Sequence, residues 1–143
     1  MSAVQHLLAL LARLFLSAVF LWSAFHHIVL SWAESMEGLR AKGMPLPEVM
    51  MALAVAGMLV GGLSVLVGMR ARWGAVILIL FLIPTTLVMH DFWNYDPASP
   101  EYLGQAINAL KNLGLLGGLL TVLAFGPGGF SADTFLRKRP VTD

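Results

Sequence analysis

The sequence predicts an all-α integral membrane protein, a four-helix bundle, and three observations carry that reading. Of 143 residues, 58% are hydrophobic and 12% charged, where a soluble domain is roughly half apolar and a quarter charged. Mean hydropathy is +0.80. The apolar residues fall into four continuous runs, each near the ~20 residues a helix needs to cross the hydrocarbon of a bilayer. Continuous rather than alternating apolar sequence favours helices over strands. The length allows one domain, a single transmembrane domain over residues 1–143.

The first span is expected over about residues 7–30, from Leu7 to Leu30. It is longer than the ~7–15 apolar residues of a signal peptide. No Lys or Arg precedes it and Arg13 lies inside it, so it reads as a retained helix. Arg13 is expected to snorkel to the headgroups, with pairing between helices as the alternative. The next stretch, SWAESMEGLRAKG, has the composition of an amphipathic interfacial helix over about residues 31–42, stopped by Gly43. The second span is expected over about 49–69, and the third over about 73–89 with Pro84 inside it. Proline frees a helical carbonyl, which Thr85, Thr86 or a neighbouring helix could satisfy. The fourth span is expected over about 103–125, ended by Gly126-Pro127-Gly128-Gly129.

Charge orients the bundle. Arg70 and Arg72 in the second connection share a side with Arg137, Lys138 and Arg139 of the tail; the other side holds Arg40 and Lys42. By the positive-inside rule both termini are expected in the cytoplasm. Gly57 and Gly61 on the second span, and Gly114 and Gly118 on the fourth, lie four apart, the spacing that lets helix backbones approach closely. Packing between these helices, or a homodimer face, would use them. The net charge of +1 argues against a nucleic-acid partner. The chain contains no cysteine, which removes disulfides and thiolate metal sites.

Ionisable residues at membrane depth are costly and point to function. Here they collect at one level: His26 and His27 end the first span, Glu48 opens the second, His90 and Asp91 close the third, and Lys111 and Asn112 sit inside the fourth. Lysine, asparagine and histidine can hydrogen-bond carbonyl oxygens. Apolar walls around such donors suit a quinone head group whose tail stays in lipid, and histidine could relay its protons. The candidate ligand residues are His90, Lys111, Asn112, His27 and Trp93, supported by His26, Glu48, Asp91 and Arg13. His27, His90 and Lys111 are expected to face the bundle interior. The bland alternatives are a snorkelling Lys111, structurally bonded histidines and an interface-anchoring Trp93. A haem would need axial histidines; His27 and His90 are a weak basis for one, and no metal-ligand spacing is present.

The stretches RLFLSAVFLWSAFHHI (Arg13 to Ile28), GGLSVLVGMRARWGA (Gly61 to Ala75), HDFW (His90 to Trp93) and KNLGLLGGLL with GPGGFSAD (Lys111 to Asp133) resemble the DoxX family, small four-helix membrane proteins of bacteria and archaea. The resemblance implies a cytoplasmic (inner) membrane location. It also implies a link to redox chemistry, since named members look like subunits of quinone-reducing oxidoreductase or oxidase complexes. Two departures stand out. His27 takes the place of a lysine that often ends the first helix, and Met58 falls where a glutamate often precedes the Gly-Gly of the second. Three functions follow: a membrane subunit of a quinone-linked redox complex, active only with its protein partner; a non-enzymatic anchor or assembly partner; and a transporter of a small or lipidic molecule.

Overall fold

The computed structural model describes residues 2–137; Lys138 and Arg139 lie outside the described residues. Helix α1 spans Ala3–Val29. It starts before the apolar run because Ser2 and Gln5 form a capping box, each side chain accepting the other's backbone N–H. Helix α2, Trp32–Ala41, is the short amphipathic element. Helix α3, Pro47–Val67, has proline in its first turn and stops at Gly68, whose φ of 72° suits glycine. Helix α4 spans Ala71–Met89. Helix α5, Pro100–Phe125, is capped by Ser99, whose hydroxyl accepts the Tyr102 N–H. Helix α6, Ala132–Arg137, follows the glycine-rich loop. Four of these helices, α1, α3, α4 and α5, are long and apolar enough to cross a membrane, and no strand occurs among the described residues.

The bundle runs α1–α3–α4–α5, with the closing contact between α1 and α5 the slightest. Its interior holds Phe20, Met58, Val65, Leu78 and Leu119, all essentially inaccessible. Its outer surface is equally apolar: Phe15, Leu53 and Leu80 are 72%, 68% and 68% exposed. Such a continuous greasy exterior is tolerated in lipid and not in water.

Lipid offers no hydrophobic drive between helices, so close packing must hold them together. Glycines supply it at three seams. On α3, a Cβ at Gly61 would sit 2.7 Å from Leu78 and 3.0 Å from the Gly74 carbonyl of α4. Gly62 takes Leu21 of α1 in the same way, and Gly118 of α5 takes Leu16 of α1. Gly114, by contrast, has nothing within 4 Å, so the second glycine pair is only half used within the chain. Thr86 donates to the Leu82 carbonyl rather than to that of Leu80, which Pro84 deprives of its helical donor.

Candidate functional site

At the bundle end that carries α2, the polar residues fall into separate hydrogen-bonded groups. The α1 C-terminus is one. His27 Nδ1 lies 2.9 Å from the Ser35 hydroxyl and 3.2 Å from that of Ser31, which also meets His26 Nδ1 at 3.1 Å. His27 Nε2 has no partner among the described residues.

An ion pair is the second group. Lys42 Nζ donates to Asp91 Oδ1 at 2.6 Å, Asn94 donates to Oδ2 at 3.0 Å, and the ammonium lies 5.6 Å from the Tyr95 ring centre. Hydrogen bonding to Asp91 holds the Lys42 ammonium above the usual lysine range. The pair ties the end of α2 to the α4–α5 connection. Glu48 is separate again, in an exposed pair with Arg40, the kind of contact that adds little. Trp93 is half exposed and meets Phe92 edge-on at 5.2 Å.

The third group is a polar seam between α4 and α5. His90 Nδ1 lies 2.8 Å from Gln105 Oε1, and Asn112 Nδ2 donates to the Thr86 hydroxyl at 2.9 Å. Gln105, Asn108 and Asn112 repeat at three and four residues, so they share one face of α5. Asn108, between the two bonded residues, has no side-chain partner among the described residues and is half buried. Sequence reasoning passed over Gln105 and Asn108; their spacing with Asn112 was the signal that could have found them.

Lys111 departs from the expected interior position: its side chain is exposed and has no partner among the described residues. Helical geometry accounts for this. The contact of Leu16 with Gly118 joins α1 to α5, and the two helices run in opposite directions. Seven residues along each, two turns and ~10 Å, bring Ser23 of α1 and Lys111 of α5 to one level. One turn further, His27 comes level with Ile107 and Asn108. Ser23, His27, Asn108 and Lys111 thus share a level towards the α2 end, where the slight contact between α1 and α5 leaves Lys111 uncovered. His90 and Asn112 belong to the neighbouring seam with α4. His26, Asp91 and Glu48 are engaged elsewhere.

Arg13 lies at the opposite end and does not snorkel. It is 1% exposed. Its Nη1 donates to the Pro127 carbonyl at 2.7 Å and its Nη2 to that of Phe130 at 2.8 Å. Two carbonyls of the glycine-rich loop, together with the Asp133 charge in electrostatic reach, replace the water that snorkelling would supply. Among the described residues no cluster of His, Asp and Glu could hold a metal ion.

The family model for DoxX matches residues 8–91. Over 142 residues the chain is 27% identical to the inner membrane protein YqjF of Escherichia coli, covering 97% of this chain and 99% of that protein. Over 69 residues it is 32% identical to the Surfeit locus protein 4 homolog of Schizosaccharomyces pombe, covering 48% of this chain. The match takes in 23% of that yeast protein, so the chain corresponds to about a quarter of it. No solved structure matches.

Proposed function

This chain belongs to the DoxX family, and we propose that it works in the inner membrane as the membrane subunit of a quinone-linked redox complex. The quinone head would enter laterally between α1 and α5. The observation that carries this reading is a pair of polar side chains on α5, Asn108 and Lys111, that have no hydrogen-bond partner among the described residues and lie within a helix long and apolar enough to cross a membrane. Hydrocarbon supplies neither with a hydrogen-bond partner, so each favours an occupant that brings acceptors. A quinone brings two carbonyl oxygens on a flat apolar ring, and its tail can remain in lipid. Asn108 and Lys111 would donate to the oxygens, and His27 Nε2 would exchange a proton with the reduced ring. The chain holds no redox centre of its own recognisable in its residues, so electrons would come through a partner. Both termini would lie in the cytoplasm, by the excess of arginine at their end.

The exposed glycines of α5 favour a second reading, a non-enzymatic anchor. Gly104, Gly114 and Gly117 have no neighbour within 4 Å and would admit another membrane helix, with Lys111 paired across that interface.

Decylubiquinone binding to the purified protein in nanodiscs separates the two. Under the first reading binding is saturable, Asn108→Leu and Lys111→Met each weaken it about tenfold, the value of one hydrogen bond near 1.4 kcal/mol, and Glu48→Gln leaves it unchanged. Absence of saturable binding to the folded wild type rejects the quinone and leaves the anchor.

A further inference from the structure

A sizeable cavity lies at the other end of the bundle, where α1 begins and α5 ends. It measures about 710 Å³ and is rimmed by Arg70, Arg72 and Arg137, with His6, Trp73 and Phe125 among its walls. A narrower groove of about 350 Å³ runs between α1 and α5, lined by Leu8, Ala9, Ala12 and Val122. Phe125 and Gly126 line both, so the cationic cavity continues into an apolar groove.

The charge in the cavity is largely uncommitted. The side chains of Arg70 and Arg137 make no hydrogen bond among the described residues. Arg72 places one N–H on the Ala124 carbonyl, at 3.3 Å, and its other donors remain available. A carboxylate is present too: Asp133 lines the cavity, but its Oδ1 accepts the Arg70 backbone N–H at 2.9 Å. Among the described residues lining the cavity, three guanidinium groups therefore stand against one carboxylate. His6 Nδ1 accepts the Gly129 N–H at 2.9 Å, which leaves Nε2–H as the donor of that ring. Trp73 and Phe125 are 70% and 77% exposed, and tryptophan favours the headgroup level of a bilayer.

We propose that this end binds an anionic phospholipid, its phosphate held by Arg70, Arg72 and Arg137 and one acyl chain lying in the groove between α1 and α5. Guanidinium forks match phosphate oxygens, and basic pockets between membrane helices suit anionic headgroups. A free phosphate would satisfy the arginines and leave the groove unexplained; a lipid fills both. The site is at the opposite end from the quinone region and does not depend on that reading.

The test uses the full chain with Trp73 as its one tryptophan (Trp22→Phe, Trp32→Phe, Trp93→Phe) in nanodiscs doped with acyl-brominated phosphatidylglycerol or phosphatidylcholine. Trp73 fluorescence should be quenched preferentially by phosphatidylglycerol. Arg70→Gln should cut that preference about fivefold, the contribution expected of one cation near an anionic headgroup, and the pair Arg70→Gln/Arg72→Gln more, while Arg70→Lys keeps most of it. Should the triple tryptophan variant misfold, native mass spectrometry of the wild-type chain provides the same comparison: phosphatidylglycerol retained through delipidation, and lost in the double glutamine variant. Equal quenching by the two lipids, or an unchanged preference in the double variant, overturns the proposal. Abolition of the preference by millimolar inorganic phosphate overturns the lipid and leaves a free-anion site.

Discussion

Arg13→Met should release the glycine-rich loop from the bundle. The arginine makes two charge-assisted hydrogen bonds, to the Pro127 and Phe130 carbonyls. Each such bond contributes about 1.5–3 kcal/mol, a gross loss of about 3–6 kcal/mol. Part is offset because methionine need not be desolvated as a guanidinium is, and Arg13 Nε is already buried without a partner. The net cost should be about 2–4 kcal/mol, read from unfolding by sodium dodecyl sulfate in mixed micelles. The absence of native cysteine gives a second readout. A cysteine in place of half-buried Ala132 should react slowly with a maleimide in the parent and quickly beside Arg13→Met. Arg13→Lys should recover only part of the loss, because an ammonium cannot reproduce the planar fork that spans two carbonyls. Unchanged stability together with a protected Cys reporter in Arg13→Met would refute the lock.

Gly68→Ala should damage the same junction from the other side. The added Cβ would lie 2.4 Å from Arg13 Nη1 and 2.6 Å from the Ser131 Cβ at a φ of +72°, costing about 2–4 kcal/mol in the same unfolding assay. The two glycine pairs should behave oppositely. Gly61→Ala meets Leu78 at 2.7 Å and should cost about 1–3 kcal/mol, whereas Gly114→Ala meets nothing and should be neutral or stabilising by up to about 1 kcal/mol. The Lys42–Asp91 pair should stabilise in a pH-dependent way. Lys42 is held above its ordinary value of 10.5 chiefly by the hydrogen bond to Asp91, so its contribution is complete below that pH and is lost as pH rises through the elevated value. For a partly exposed pair this is about 1 kcal/mol or less. Thermal melts of wild type and Lys42→Met should therefore differ at neutral pH and converge in strong alkali; parallel curves would count against the pair.

The four membrane helices were legible because each apolar run is long and unbroken. Their ends were less so. Helix α1 begins at Ala3 and α5 at Pro100, ahead of the expected Leu7 and Leu103, because capping by Ser2 and Ser99 extends helices into polar sequence that hydropathy alone does not count. The lock on Arg13 was not legible. Its acceptors are backbone carbonyls more than a hundred residues away, and carbonyls carry no residue identity. The same holds for Lys42, whose partner Asp91 lies 49 positions on. Of the candidate polar layer, its common level could be read from the sequence. Its division between a seam with α4 (His90, Asn112) and an exposed Lys111 could not, because that depends on which helix α5 packs against at each height. The glycines show the same limit: Gly57 and Gly61 have the same spacing as Gly114 and Gly118, yet Gly61 and Gly118 are packed and Gly114 is open.

The most direct measurement of the proposed function is the infrared carbonyl stretch of ¹³C-labelled decylubiquinone in nanodiscs containing the protein. Donation from Asn108 and Lys111 should shift the bound carbonyl band to lower frequency, and Asn108→Leu with Lys111→Met should return it to its position in protein-free lipid. A band identical with and without the folded wild-type protein would contradict a quinone site between α1 and α5.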